Sequence, residues 1–349
     1  MTDTARAHAE LDRAQQLYDL GRAAEALEVV GQILAARPDH PDGLRLAALC
    51  LSSVGRQDEA VRAARAAVSA DPDSEHGRRV LSHMHYKRGE FRLAANLALE
   101  ATRLAPNEWR GHMLLARCVC HFDPQRAIAP AERSRVLGPD TPDTHFACAL
   151  AYQAVGREDD ARAAYLKVLE LNPQHAMALN NMAVLDRSAH RWTRALRGFR
   201  RALSSDPQQD LARRNIDSIL LSRVWRLTWL SVLAVDAVDA FAPPMNSLAQ
   251  RVFGSLLVTL LLVTPVLAAW SARRAVGSYL WRFLRLDRRV HLCLALLTAA
   301  VAFITTGTIV QLYKITDQYA AISFLMTILL WAVSAQVRSM TRKSTPPTE

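Results

Sequence analysis

Proline recurs at Pro38, Pro72, Pro106, Pro139, Pro173 and Pro207, at successive intervals of 34, 34, 33, 34 and 34 residues. A period of that length means that one small unit is repeated and stacked, since each interval is long enough for a pair of helices but too short for an independent core. Gly21, Gly55, Gly89 and Gly156 sit at one phase of the period, and Ala26, Ala60, Ala94, Ala127, Ala161 and Ala195 at another. The stretch Pro142–Gln174 shows the unit most plainly. Phe146, Ala149, Leu150 and Tyr152 recur at helical spacing before Gly156; Ala161, Ala164, Tyr165, Val168 and Leu169 do so after it. Both halves are therefore amphipathic helices. Gly156 supplies the turn, Ala149 and Ala161 mark the crossing where only small side chains permit close approach, and Pro173 ends the second helix.

This pattern resembles the tetratricopeptide repeat family, whose unit is a 34-residue helix–turn–helix. Six copies begin near Ala7, Pro41, Glu75, Trp109, Pro142 and Ala176, covering about the first 60% of the chain. The expected fold is all-α: a solenoid over residues 1–222, with Asp210–Leu221 as the polar helix that covers the last apolar surface. The fourth copy departs from the pattern. It is one residue short, Asp123-Pro124 replaces the glycine turn, and Pro130 falls inside the second helix, which predicts a kinked or shortened helix and a joint at 122–131 between two groups of three repeats.

Beyond residue 222 the composition changes. Residues 1–222 are nearly balanced at a formal +2, whereas 223–349 carry +8. Val252–Ala272, Val290–Leu312 and Tyr319–Val337 are free of charge and close to the roughly 20 residues that cross a bilayer. Val224–Phe241 is a fourth candidate span despite Arg226, Asp236 and Asp239. A bundle of about four transmembrane helices over 223–343 is expected, with a disordered tail at 344–349. Arg273, Arg274, Arg282, Arg285, Arg288 and Arg289 lie between the second and third spans, and basic residues also flank the first and last. The linkers between the first two and the last two spans carry almost no cation, so both termini are expected in the cytoplasm. Arg outnumbers Lys by 39 to 4, a bias expected of a GC-rich bacterial coding sequence, and the first residues show no basic head followed by an apolar core.

No phosphate loop, zinc-protease motif or nucleophile elbow is present, so catalysis, cofactors and nucleic-acid partners are not expected. Cys50, Cys118, Cys120, Cys148 and Cys293 lack CxxC pairs and read as small buried residues. His83 and His85 diverge by roughly 200° on a helix, which disfavours a shared metal. Arg191, Arg194, Arg197, Arg200 and Arg201 crowd one helix of the sixth hairpin; this is either a solvated face or a contact with anionic lipid.

The family resemblance implies an inner groove lined by the first helix of each repeat. The matching positions here are Arg45, Arg79, His83, Lys87, Arg110, Arg117, His121, Asn180 and Arg187. By that resemblance, such grooves bind extended peptides or partner helices, and a cationic one favours acidic segments or a C-terminal carboxylate. The chain thus reads as a scaffold that recruits a protein partner to the inner face of the cell membrane. The competing reading is a small transporter or channel-like subunit, with Asp236 and Asp239, one helical turn apart, as an intramembrane ionisable site and the repeats as regulators.

Overall fold

The computed structural model describes residues 3–220, 222 and 226, with side chains from residue 8 onward. Its helices pair as hairpins: α1 (Asp3–Asp19) with α2 (Ala23–Ala36), α3 (Pro41–Ser53) with α4 (Gln57–Ala70), and α5 (Glu75–Lys87) with α6 (Phe91–Leu104). The series continues with α7 (Trp109–Cys120) and α8 (Pro124–Leu137), α9 (Pro142–Ala154) and α10 (Glu158–Leu171), and α11 (Ala176–Ser188) and α12 (Trp192–Ser205). A thirteenth helix, α13, starts at residue 210 and is described through residue 220. The chain forms two compact units, one ending at Pro173 and the other opening at Gln174.

Local chemistry accounts for these boundaries. Several first helices start on a side-chain cap: His40 accepts from the Gly43 amide, Ser74 from Gly77 and His175 from Ala178. Each cap satisfies an amide that the helix itself cannot. Gly21, Gly55, Gly89 and Gly156 close the turns at φ between 75° and 85°, with nothing within 4 Å of where a Cβ would sit. Glycine is needed there for its backbone, not for its small size. His190 takes that place in the sixth hairpin and holds φ 57°, a strained value for a side-chain-bearing residue.

The helices stop two residues before each repeating proline. Arg37, Asp71, Ala105, Gly138, Asn172 and Asp206, which immediately precede the prolines, hold φ between −132° and −139°. Proline acts through its neighbour: its Cδ excludes the preceding residue from the helical region, so the helix ends before the proline is reached.

Two sequence expectations for the fourth hairpin need correction. Helix α8 runs through Pro130 for 14 residues, the length of α2, α4, α6, α10 and α12, so it is not shortened. Its start is fixed instead by Asp123, at φ −150°, whose side chain accepts from the Arg126 amide. The division into units falls at 173–174, not at 122–131, because α7, α8 and α9 pack on one another.

Packing follows the repeat. Ala26, Ala60, Ala94, Ala127, Ala161 and Ala195 are all fully buried, as expected where two helix axes approach closely. In the first unit each first helix also touches the next one, α1 on α3, α3 on α5, α5 on α7 and α7 on α9. These helices form one layer. Cys50, Cys118 and Cys148 are buried among them, and burial pushes the Cys118 thiol up to about 12, so these are packing residues and not reactive ones. In the second unit Ala183, Leu196 and Phe199 pack on Ile216, Ile219 and Leu220, so α13 covers the apolar face of its hairpin.

Among the described residues no helix is long and apolar enough to cross a membrane. The candidate spans, their linkers, Asp236, Asp239, Cys293 and the tail lie outside the described residues, Arg226 excepted.

Candidate functional site

The layer of first helices brings seven of the nine sequence-selected residues onto α3, α5 and α7 or their ends. Most of their charge is already answered locally. Arg45, only 13% exposed, donates through Nε to Asp42 Oδ1 at 3.2 Å. Arg79 donates to Glu75 Oε1 at 2.8 Å, and Arg110 to Glu108 Oε1 at 2.9 Å. The Arg110 guanidinium also lies 4.5 Å above the Trp109 ring.

Lys87 and Arg117 differ. Among the described residues neither has a carboxylate within ion-pair distance, and Arg117 Nε is buried without a hydrogen-bond partner. The Arg117 guanidinium lies 4.9 Å over the Tyr86 ring, a cation–π contact that orients it without neutralising it. His83, on α5, feels the charge of both. Burial, then the charges of Lys87, Arg117 and Arg79, push its pKa down to about 4. Its ring is neutral near pH 7 and offers hydrogen bonds instead of charge. Net cationic character therefore concentrates where α5 meets α7.

His76, which sequence reasoning passed over, links α3 to α5 by accepting from Arg45 Nη1 at 3.4 Å. Its outer edge is exposed, yet packing on its inner side and the charges of Arg45, Arg79 and Arg110 push its pKa down to about 4. Tyr86 and Phe91 were also missed. The His121 ring stacks on Phe91 at 3.7 Å, and its Nε2 lies 3.2 Å from Tyr86 Oη. The aromatic crowding in HMHYKRGEF was the available signal. His121 is thus a packing residue at the rim, fastening the third hairpin to the fourth.

Asn180 and Arg187 belong to the second unit and converge on Asn215 of α13. Asn215 Nδ2 donates to Asn180 Oδ1 at 3.1 Å, and Arg187 Nη1 donates to Asn215 Oδ1 at 3.3 Å. With Asn180 only 4% exposed, these bonds tie the terminal helix to its hairpin. His85 is buried against Glu90, and among the described residues no group of three His, Cys, Asp or Glu is placed to hold a metal.

A pH dependence follows from His83. In the unfolded chain a histidine titrates near 6.5, so between about pH 6.5 and pH 4 the unfolded state binds more protons than the folded one. Its contribution to stability is complete above that window and is lost as pH falls through it. Between pH 7 and pH 5 this one half-buried ring is expected to cost the fold about 1–2 kcal/mol. Urea midpoints at the two pH values should show that loss, and His83→Gln should reduce it.

Comparison with known proteins agrees with the hairpin reading. Residues 11–75 and 146–210 match the tetratricopeptide repeat family model. The Cut9–Hcn1 hetero-tetramer of the APC/C aligns at a TM-score of 0.53 with 18% identity, over 59% of this chain and 41% of that one. TTC0263, a thermophilic TPR protein of Thermus thermophilus, aligns at 0.47 with 25% identity, over 51% and 98%. YrrB, described as a TPR protein with an unusual peptide-binding site, aligns at 0.38 with 19% identity, over 53% and 96%. No curated protein matches the sequence. The described residues form an all-α series of helical hairpins similar to tetratricopeptide repeats, and repeats of that family generally mediate protein–protein interaction.

Proposed function

We propose that this chain is a membrane-anchored interaction scaffold that recruits a cytoplasmic protein by binding an extended acidic segment along α3, α5 and α7. One observation carries this reading: Lys87 and Arg117 have no carboxylate of their own among the described residues, in a layer where Arg45, Arg79 and Arg110 are already paired. Unanswered charge on this layer of packed helices is available to an incoming carboxylate, whereas Arg45, Arg79 and Arg110 must first give up an internal partner. Tyr86, beneath Arg117, supplies an apolar floor for the same segment. The charge-free runs after residue 250, with arginines clustered on alternate flanks, support a multi-span anchor over 223–343 that leaves the repeats in the cytoplasm.

The direct measurement is binding of a labelled Glu-rich peptide to the full-length protein in detergent, at low and high salt. Exposed charge pairs contribute up to about 1 kcal/mol each, and reversal adds repulsion to the loss. Lys87→Glu with Arg117→Glu should therefore weaken binding roughly 10- to 100-fold. Arg103→Glu, on the outer helix α6, should change it little. Wild-type binding should also weaken as salt rises, because screening acts over about 8–10 Å. Undiminished binding by the double variant removes the groove as the site.

A further inference from the structure

In three hairpins the residue before the second helix is an arginine answered by an acid three positions on: Arg22 by Glu25, Arg56 by Glu59 and Arg157 by Asp160. Arg191 holds the same place before α12, but three positions on stands Arg194. The first turns of α2, α4 and α10 carry acidic residues and that of α12 carries none. Cations at a helix N-terminus oppose the macrodipole, so α12 begins against the field of its own backbone.

The same sign continues along the helix. Arg191, Arg194, Arg197, Arg200 and Arg201 are all exposed, none has an ion-pair partner among the described residues, and α12 contains no Asp or Glu. At 3.6 residues per turn Arg194, Arg197 and Arg201 fall within about 60° of one another. They lie opposite the buried Ala195, Leu196 and Phe199. At the start of the helix His190, Trp192 and Thr193 join Arg191, Arg194 and Arg197 around a shallow, open cavity of about 570 Å³. Arg226 sets its guanidinium 5.2 Å over the Trp192 ring. Arg226 is also the third residue of the candidate span 224–241, so this contact brings the entry to the chain's apolar part to the arginine end of α12.

We infer that the arginine face of α12 docks on anionic phospholipid headgroups at the bilayer surface. The inference rests on the membrane-anchored reading, since tethering places this face near headgroups. Guanidinium groups bind phosphate in a planar, two-point fashion, and a tryptophan beside them suits the headgroup level. The Arg226 contact favours a bilayer over a soluble polyanion, because it couples the patch to the start of the candidate span.

The test uses full-length protein in phosphatidylcholine vesicles containing a trace of a photoreactive lipid, with either a phosphatidylserine or a phosphatidylcholine headgroup, followed by mapping of the labelled residues. Residues 190–201 should be labelled by the anionic probe and not by the zwitterionic one. Basic residues near an anionic surface contribute about fivefold each, so Arg194→Glu, Arg197→Glu and Arg201→Glu together should reduce labelling roughly tenfold or more. The matching Arg→Lys triple variant, which keeps the charge, should retain most of it. If the reversed variant loses helicity, the lysine variant and the salt dependence of wild-type labelling decide the matter. Equal labelling by both probes overturns the inference. So does displacement by millimolar inorganic phosphate, which marks a free-phosphate site, or an Arg194-dependent complex with a duplex oligonucleotide formed while the two lipids label alike. Alkaline extraction of the same vesicles scores the anchor separately. A chain that is extracted yet labelled keeps the surface and loses the anchor, and one that resists extraction unlabelled does the reverse.

Discussion

Tyr165→Ala is expected to destabilise the first unit by about 3–5 kcal/mol, the range for truncating a large aromatic residue in a packed core. Tyr165 is fully buried on α10, its ring lies 5.8 Å from that of Phe146 on α9, and its hydroxyl donates to Gln153 Oε1 at 2.7 Å. The side chain thus joins the two helices of its hairpin through both packing and a hydrogen bond. Tyr165→Phe separates the two contributions. It keeps the ring and leaves Gln153 short of one donor, for an expected loss of about 1 kcal/mol. Denaturant melts of both variants measure the difference, and hydrogen exchange should locate the Tyr165→Ala effect mainly in α9 and α10, since repeats of this kind gain stability from nearest neighbours. Equal losses for the two variants would mean that the hydrogen bond, and not the packing, holds this hairpin.

Ile216→Asp should destabilise the second unit by about 3–5 kcal/mol or more, because a carboxylate is placed among buried apolar side chains. Ile216 is fully buried with Ile219 and Leu220 against Leu196 and Phe199. Without α13 those apolar side chains of α12 face water, so the helix serves as the lid of its hairpin. Arg214→Asp, two residues away on the exposed side of α13, should change stability by about 0.5 kcal/mol or less. Hydrogen exchange in the Ile216→Asp variant should show α11 and α12 opening while α1–α10 keep their protection. If α11 and α12 stay protected, α13 is not the lid.

Tyr165 and α13 both belong to features that the sequence pattern displays. The proline period, the glycine phase and the alanine phase settled the hairpins, because each acts within a few residues. Proline excludes its neighbour from the helix, glycine alone turns easily at φ near +80°, and a small residue permits two axes to cross. Those rules need no knowledge of distant parts of the chain. They failed locally at Pro130, where packing by neighbouring helices on both sides retained a helix that the residue alone disfavours.

The site was less legible. Position within the repeat placed Arg45, Arg79, Arg110 and Arg117 on the first helices of their hairpins, but could not tell which charges were already answered. Asp42, Glu75 and Glu108 answer three of them at short range, and only side-chain geometry shows that Arg117 instead lies over Tyr86 with Nε unpartnered. Asn180 shares the repeat position of Arg45 and Arg79, yet it and Arg187 hold α13, because Asn215, 35 residues on from Asn180, reaches back to both. The sequence by itself determined which segments are helices, where they turn and which faces are apolar, since those follow from backbone sterics and periodicity. Tertiary structure alone decided which charges remain unpaired on those helices, since pairing depends on contacts of a few ångströms between side chains that a repeat register does not encode.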